Sequence, residues 1–423
     1  MKKFLVGLLV CVLCIPLVLG GILGFFYLNT GADSVPAVAL VAGGNTIQPV
    51  SYQWQVPVFN GMMHKEFSRE GGLQTQDIGV LSEDKLVITY PENFTQQVSL
   101  LQNGIEVWNG TGADWNNYTL AANGDYILSV VCAQAQTMGS KPYGSFTFRI
   151  GFSLNIEPTL KTSAAAIQQG DVFVIQLSFL QPGTQPTAES DLFISPFVAT
   201  GENTMCAYLP TSFYTLDGEH TVTVTAGSYS WEVPFTIEWV KFPRQDLEID
   251  TSDPQISEAS SQAAYDEYNR TSPPLFDIAD SEKYWSGVFL TPVSARISTE
   301  YGHRRFTNGS VSSTYHRGID IAADEGDPVL APAAGRVLYA AYLLNTGNTL
   351  VIEHGGGLKT LYYHMSSLNV TAGAMVERGD TLGAVGTTGY STGAHLHFDV
   401  RIGNQSINPT LALNGSSNLY FFE

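Results

Sequence analysis

The most informative stretch of the sequence lies near the C-terminus and reads Ala394-His395-Leu396-His397-Phe398-Asp399-Val400. In a β-strand, residues i and i+2 point to the same face, so His395 and His397 are expected to enter one cleft. Leu396 and Phe398 then face a hydrophobic core on the other side of the strand. The alternation predicts a strand with one polar face that can carry ligands.

A second stretch with ligand-like spacing lies upstream and reads His316-Arg317-Gly318-Ile319-Asp320. Zinc binds imidazole nitrogen and carboxylate oxygen, and catalytic zinc sites use three protein ligands plus one open position. His316, Asp320 and one histidine of the pair His395/His397 would supply these three ligands. Spacing alone makes either histidine of that pair a possible ligand. No cysteine lies near, which excludes a closed structural site of the cysteine type.

The composition limits the classes of function. The chain has 423 residues, with 20 basic against 39 acidic residues and a net charge of −19. Nucleic-acid binding depends on a basic footprint, so a chain this acidic is a poor candidate for it. Only 14% of residues are charged and 41 are glycine, while long apolar helical periodicities are rare. We therefore expect a mainly β protein.

The N-terminus predicts a membrane anchor. Lys2 and Lys3 precede an apolar run from Phe4 to Leu28 that carries no charge, and about 20 such residues cross a bilayer. The flanking lysines should stay cytoplasmic, which places the C-terminal region outside the cell membrane. The alternative is a secreted protein, cleaved after the small residues 37–39. In an oxidising space Cys132 and Cys206 can form a disulfide or remain two buried thiols.

Between the anchor and residue 243 the sequence predicts short strands. Asn103-Gly104 separates two alternating runs and predicts a β-hairpin. Strands at this spacing predict two Ig-like β-sandwich domains. Residues 244–285 carry ten acidic and three basic residues and predict a flexible linker with one helix, from Asp253-Pro254 to about Asn269. The predicted order is a cytoplasmic tip and transmembrane helix (1–28), a tether (29–48), two sandwiches (49–155 and 156–243), the acidic linker (244–285) and a C-terminal domain (286–423).

The C-terminal domain resembles the zinc metallopeptidases of the lysostaphin and LytM type, family M23. The resemblance covers residues 288 to about 410, under a third of the chain. The matching stretches are Tyr301-Gly302-His303-Arg304, His316 to Ala323, Gly326 to Gly335, Thr360-Leu361-Tyr362-Tyr363-His364, Val376 to Asp380, and Gly386 to Phe398. Departures are Tyr301, Tyr363 and Ala394, where phenylalanine, a small residue and proline are common. None of these departures removes a metal-binding or catalytic group.

The resemblance implies an antiparallel β fold with an open groove. It makes His316, Asp320 and His397 the zinc ligands, and His364 and His395 the catalytic histidines beside the metal-bound water. His303 and His354 have no metal-binding role in the family. It further implies a zinc endopeptidase that cleaves the cross-link peptides of peptidoglycan in a bacterial cell wall. A histidine must then act as the base, because the sequence has no HExxH glutamate.

Two other functions compete with catalysis. One is a non-catalytic, membrane-tethered scaffold or adaptor that uses the peptidase-like domain to bind a cell-wall or envelope partner. The other is a biotin- or lipoyl-carrier domain, because residues 329–335 and 373–386 also resemble a glycine-rich hammerhead. A carrier needs a modifiable lysine at a hairpin tip, and the only lysine of this region is Lys359. Because all five key residues are present, the peptidase is favoured.

The anchor prediction can be tested on the protein extracted from membranes. We expect mass spectrometry to find Lys2, Lys3 or the following apolar run still attached to the mature chain, because an uncleaved span remains in the bilayer. A mature N-terminus at Leu40 would instead make the protein secreted.

Overall fold

The structure is a computed structural model that describes residues 2–72, 74–136, 141–201, 203–311 and 313–422, with the backbone alone for residues 2–13. The chain divides into two compact units, residues 1–157 and residues 158–423. Both units are built mainly from β-strands, as the composition predicts.

The first unit begins with one long helix and continues with strands. Its helices are α1 (Lys2–Asn29) and α2 (Gly112–Trp115), and a short 3₁₀ turn covers Ala32–Ser34. Its strands are β1 (Leu40–Ala42), β2 (Asn45–Ile47), β3 (Ser51–Val58), β4 (Met63–Arg69), β5 (Gln76–Leu81), β6 (Ile88–Thr89), β7 (Thr95–Gln102), β8 (Ile105–Thr111), β9 (Gly124–Gln134) and β10 (Tyr143–Leu154).

The strands of the first unit form two sheets. The larger has the order β4-β3-β10-β9-β7-β8, with β5 parallel to β10, and the smaller has the order β2-β1-β6. The predicted hairpin at Asn103-Gly104 is confirmed, because Gln102 pairs with Ile105 across it. Both turn residues have positive φ, 51° and 79°, the conformation in which the favoured two-residue hairpin turn needs asparagine and glycine.

The segment before this sheet differs from the predicted tether. Residues 29–48 contain β1 and β2, whose Leu40, Ala42 and Ile47 are buried. These apolar side chains give the segment a face to bury, which an exposed tether lacks. Among the residues whose side chains the structure describes, which begin at Cys14 within α1, no helix is long and apolar enough to cross a bilayer. The anchor stays a prediction from the sequence.

The second unit begins with two four-stranded sheets. Its first strands are β11 (Thr159–Thr162), β12 (Ala166–Gln168), β13 (Val172–Ser178), β14 (Thr187–Ser190), β15 (Val198–Gly201), β16 (Thr204–Pro210), β17 (Gly218–Ala226) and β18 (Tyr229–Glu238). The sheet orders are β11-β13-β16-β15 and β12-β18-β17-β14. Side chains of both sheets share one core, in which the rings of Phe173 and Phe235 stack 4.1 Å apart. The two sheets therefore pack face to face.

Residues 244–285, predicted as a flexible linker with one helix, are folded onto the rest of the unit. They contain β19 (Arg244–Leu247), α3 (Pro254–Ala259) and α4 (Gln262–Phe276). The first helix begins at Asp253-Pro254, as predicted, and the Asp253 side chain caps it by accepting hydrogen bonds from the amides of Gln255 and Ile256. The prediction of a single helix is wrong, because the segment contains two. The Ser261 side chain accepts a hydrogen bond from the Ala264 amide, and such a cap starts a second helix.

The second helix also extends past its predicted end near Asn269. It includes Pro273 and Pro274, which lack amide protons and normally stop a helix. Its last residue, Phe276, is buried against Val351 and Leu361, and the Arg401 guanidinium lies 4.1 Å from its ring centroid. Tertiary burial of Phe276 therefore outweighs the local preference.

The remaining elements form the region that resembles the peptidases. Its strands are β20 (Arg296–Thr299), β21 (Arg304–Thr307), β22 (Thr314–Tyr315), β23 (Ile319–Ala322), β24 (Pro328–Leu330), β25 (Gly335–Leu343), β26 (Gly347–Glu353), β27 (Leu358–Met365), β28 (Ser367–Leu368), β29 (Met375–Val376), β30 (Thr381–Ala384), β31 (Leu396–Ile402) and β32 (Gln405–Ile407). Helix α5 (Pro409–Asn414) and a 3₁₀ turn (Asn418–Tyr420) follow. The main sheet has the order β20-β23-β31-β27-β26-β25-β29, with β32 beside β31.

One hydrophobic core joins this region to the preceding β-sandwich. It contains Val172, Cys206 and Phe213 of the sandwich together with Leu396 and Phe398 of β31. The C-terminal tail is part of the same contact. Ser417 donates a hydrogen bond through Oγ to the Asp171 carboxylate at 2.7 Å, and the Asn418 side chain donates to the same carboxylate. Cys132 and Cys206 are both buried thiols that form no disulfide bond with each other.

Lys359 is the residue on which the carrier-domain alternative depends. It lies in β27 opposite Glu353 of β26, and both side chains are fully buried. The Lys359 Nζ is 2.9 Å from Glu353 Oε2 and also donates to the carbonyl oxygens of Ile278 and Gly357. A buried, paired ammonium group is not available for modification. The lysine therefore has a structural role.

The buried pair gives a prediction on stability. We expect Lys359→Met to lower the free energy of unfolding by about 3–5 kcal/mol, because it leaves the Glu353 carboxylate buried without its cation. The double variant Lys359→Met with Glu353→Leu should recover most of that loss, since both charges are then removed. Denaturant titration measures both values, and an equal loss in the two proteins would contradict the ion-pair explanation.

Candidate active site

Two adjacent strands of the main sheet bring two of the predicted ligands together. β23 and β31 are antiparallel, and their register places Asp320 directly opposite His397. Opposite residues of an antiparallel pair project to the same face, with Cβ atoms about 4.5–5.5 Å apart. The neighbouring strand β27 places Tyr363 opposite His397 on the other side. The sheet register thus assembles the site from residues far apart in sequence.

Three potential ligand atoms converge at this point of the sheet. His316 Nε2 lies 3.0 Å from Asp320 Oδ1 and 3.0 Å from His397 Nδ1. His397 Nδ1 lies 2.9 Å from the same Asp320 oxygen. These groups are buried or nearly so. The three predicted zinc ligands are therefore the residues that the structure places together.

The donor set fits a zinc ion chemically. His316 donates from Nδ1 to the carbonyl oxygen of Glu300 at 2.9 Å, so Nε2 of the neutral ring carries the lone pair. Such a bond from the other ring nitrogen is typical of metal-binding histidines. His316 Nε2 lies 3.0 Å from both Asp320 Oδ1 and His397 Nδ1, so a cation, either a proton or a metal ion, must lie between these atoms. Two nitrogens and one oxygen are a usual protein set for catalytic zinc.

The electrostatic environment keeps Asp320 ionised. Burial opposes its ionisation, but the bonds with His316 and His397 outweigh burial and hold the pKa of the carboxyl well below its usual range. Arg305 donates from Nη2 to Asp320 Oδ2 at 2.5 Å, and from Nε to Gln245 Oε1 at 2.9 Å. Because Arg305 occupies Oδ2, the other oxygen, Oδ1, faces the histidines. Arg305 is absent from the residues predicted for the site, since nothing in its spacing links it to Asp320.

His364 and His395 lie beside the ligand cluster, as the resemblance implies. Their ring centroids are 4.8 Å apart, and His395 Nε2 is 3.8 Å from Asp320 Oδ1. Each ring is oriented by a backbone carbonyl: Nδ1 of His364 donates to Thr388 at 2.8 Å, and Nδ1 of His395 donates to Gly393 at 2.8 Å. In the neutral form of each ring, Nε2 is therefore the hydrogen-bond acceptor.

The backbone at His364 adopts a left-handed conformation, with φ of 65°. Residues other than glycine rarely adopt it, and such strain tends to occur at functional sites. Two hydrogen bonds hold it: the His364 amide donates to the Thr346 carbonyl at 2.9 Å, and the ring donates to the Thr388 carbonyl. Burial, followed by the nearby rings of His395 and His397, lowers the pKa of His364 to about 3. His364 is therefore neutral near pH 7.

The other residues that the sequence singled out have supporting roles. Tyr363, a departure from the family pattern, stacks on the His397 ring with centroids 5.2 Å apart and planes 5° from parallel. His354 is fully buried and bonded through both nitrogens, to Ala334 and Thr360, away from the ligand cluster. The His303 carbonyl accepts a hydrogen bond from the His316 amide. Neither histidine belongs to the metal-binding group.

Two cavities flank the cluster. One has a volume of about 440 Å³ and the other about 320 Å³. Residues lining both cavities are Arg305, His364, Tyr390 and His397. An extended chain passing from one cavity to the other therefore crosses the histidines, which is the arrangement that a chain-cleaving enzyme needs.

The comparison with known proteins agrees with this site. Residues 314–409 match Peptidase family M23. The C-terminal region of the chain is therefore a peptidase M23 domain, as the sequence motifs predict. The resemblance to this family in the sequence implied an antiparallel β fold and the grouping of His316, Asp320 and His397.

Individual relatives match over the same region. A protein of Neisseria meningitidis named DD-carboxypeptidase/endopeptidase Mpg is 40% identical over 119 residues, 28% of this chain and 27% of the relative. The peptidoglycan DD-endopeptidase ShyB of Vibrio cholerae is 39% identical over 93 residues, 22% of each chain. The catalytic domain of lysostaphin from Staphylococcus simulans is 29% identical, with a TM-score of 0.26, over 28% of this chain and 92% of that domain. The chain thus spans about a quarter of the curated relatives.

Zinc content separates ligands from neighbours of the metal. We expect His316→Ala, Asp320→Ala and His397→Ala to lose the bound zinc, because two remaining ligands do not hold the ion at ordinary concentrations. His364→Ala and His395→Ala should keep about one zinc per chain, since three ligands remain. Elemental analysis of the purified proteins measures this. A site emptied by His395→Ala and retained by His397→Ala would invert the assignment.

Proposed function

We propose that the chain is a zinc endopeptidase that hydrolyses the cross-link peptides of peptidoglycan. The observation that carries the proposal is the convergence of His316, Asp320 and His397 beside two further oriented histidines. The names of the Neisseria and Vibrio relatives support peptidoglycan as the substrate. The two cavities that meet at the histidines fit an extended peptide.

Different residues of the chain would accept a proton, return it and orient Asp320. When bound, zinc supplies a Lewis acid and lowers the pKa of water for attack on a carbonyl. His364 is neutral near pH 7, so its Nε2 accepts a proton. His395 Nε2 lies 3.8 Å from Asp320 Oδ1. Once this nitrogen has taken up a proton, it can return that proton or stabilise developing negative charge. Arg305 keeps Asp320 in one orientation.

We also propose that the chain is anchored in the membrane with its C-terminal region outside. The charge-free run from Phe4 to Leu28, preceded by two lysines, supports the anchor and its orientation. A zinc endopeptidase that acts on the cell wall must have its catalytic domain outside the cell membrane. The proposed localisation is therefore consistent with the proposed substrate.

The β regions between the anchor and the peptidase domain are proposed as spacers. If the strands from β11 onward are lettered A, A′ and B to G, the sheets of residues 158–238 are A-B-E-D and A′-G-F-C. This order supports the predicted Ig-like assignment of that domain. The first unit, with sheets of seven and three strands, is a β domain of a different strand order.

Digestion of purified peptidoglycan tests the catalytic proposal. The full chain should release peptides whose masses show cleaved cross-links. His364→Ala and His395→Ala should lower the rate by about 10²–10⁴-fold, because they remove proton transfer and oxyanion support. The matched control is His64→Ala, which changes a half-buried histidine in the other unit and should cleave like the parent.

The outcomes of this digestion distinguish the two functional classes. Cleavage that depends on both histidines supports the peptidase. A wild-type protein that holds zinc and binds peptidoglycan without cutting it would support the scaffold instead. Wild-type rates in all five site variants would also contradict catalysis by this site.

A further inference from the structure

The segment α3–α4 is attached to both loops that border the active site. Gln255 donates from Nε2 to the carbonyl oxygens of Thr387 and Gly389, at 2.7 and 2.8 Å. On the other loop, Asn345 donates from Nδ2 to the Ala259 carbonyl, and the Leu344 amide donates to Glu267. The segment is therefore fixed across the site from one loop to the other.

The larger cavity, of about 440 Å³, lies between this segment and the histidines. The residues that α3–α4 and their connection contribute to its lining are Ala259, Ser260, Ser261, Tyr265, Tyr268 and Asn269. All six are uncharged, although residues 244–285 carry ten acidic side chains. Both acidic residues of α4 are engaged elsewhere: Asp266 accepts a hydrogen bond from Gln262, and Glu267 accepts one from the Leu344 amide. The acidic segment thus presents a neutral wall to the cavity.

The charged residues of the cavity leave one cation uncompensated. Arg401 is fully buried and paired with Asp399 at 2.7 Å. Arg305 is paired with Asp320. Arg317 also lines the cavity and is exposed, and its guanidinium makes no hydrogen bond or ion pair with any residue that the structure describes. A free guanidinium facing a neutral wall is suited to bind a carboxylate, for which its paired N–H groups have the matching geometry.

We propose that this cavity binds a carboxylate-bearing branch of the peptide substrate, with Arg317 as the charge partner and Tyr265 of α4 as the opposite wall. Tyr265 is 63% exposed, so its ring is available for contact with a ligand. The inference rests on the proposed peptidase function and specifies which chemical group of the substrate the larger cavity binds. The segment that the sequence presents as a linker is then part of the substrate-binding surface.

The test uses the full chain and two soluble dimers of peptidoglycan stem peptides. The dimers are identical except that a free α-carboxylate in one is a primary amide in the other. Wild type should cleave the carboxylate form with a kcat/KM roughly tenfold higher, mainly through a lower KM, because a charge-assisted bond forms on binding. In Arg317→Gln the ratio should fall to about one, and Arg317→Lys should keep part of the preference.

Matched variants control for charge and for folding. Arg378→Gln removes an exposed arginine of the same domain that lies outside both cavities and should keep the full preference. Tyr265→Ala should raise KM for both dimers with kcat unchanged, whereas Tyr342→Ala, which removes a half-exposed tyrosine of β25, should leave KM alone. Zinc content must equal that of wild type in every variant, which excludes damage to His316.

Different experimental results would contradict the carboxylate subsite and the proposed peptidase function. If wild type cleaves neither dimer nor peptidoglycan, the peptidase function is wrong. If wild type cleaves both dimers equally well, or Arg317→Gln keeps the preference for the carboxylate form, the subsite is wrong while the peptidase function stands.

Discussion

The antiparallel pairing of β23 with β31 is the constraint on which the site depends. It sets Asp320 opposite His397, so a carboxylate and an imidazole share one face without any further adjustment. A slip of one residue in this register would turn His397 into the core and Leu396 into the cleft. The apolar residues Leu396 and Phe398, both fully buried, make that slip costly. Core packing and the convergence of Asp320 with His397 therefore require the same register.

Around this pair, the site is held by groups that are not ligands. Arg305 fixes one oxygen of Asp320, Tyr363 stacks on His397, and backbone carbonyls orient His316, His364 and His395. Such surrounding contacts decide which ring nitrogen carries the lone pair. The strained backbone of His364 persists because hydrogen bonds on two sides hold it. Much of the precision of the site thus lies outside the three ligand residues.

The sequence predicted the site better than it predicted the surroundings. Alternation in β31 and the two histidine stretches narrowed the converging residues to His316, Asp320 and one of His395 and His397, and the resemblance selected His397. The Asn-Gly pair was enough to predict the hairpin. The folded state of residues 244–285 could not be predicted, because its acidic surface resembles that of a linker, while the contacts that hold it, such as Gln255 with Thr387, are distant in sequence. The same holds for Arg305. Local patterns report faces of strands, but not which surface loops will meet.

The core shared by the second β-sandwich and the peptidase domain has a consequence for how such proteins can evolve. Phe213 of the sandwich stacks on Tyr315, the residue before His316, with ring centroids 4.7 Å apart. A recombination event that transferred only the peptidase domain of this chain to another chain would expose this apolar surface and loosen β22, the strand that directly precedes His316. We therefore expect the two domains of this chain to behave as one cooperative block. Duplication or exchange of modules is expected to spare the boundary between them and to occur ahead of residue 158.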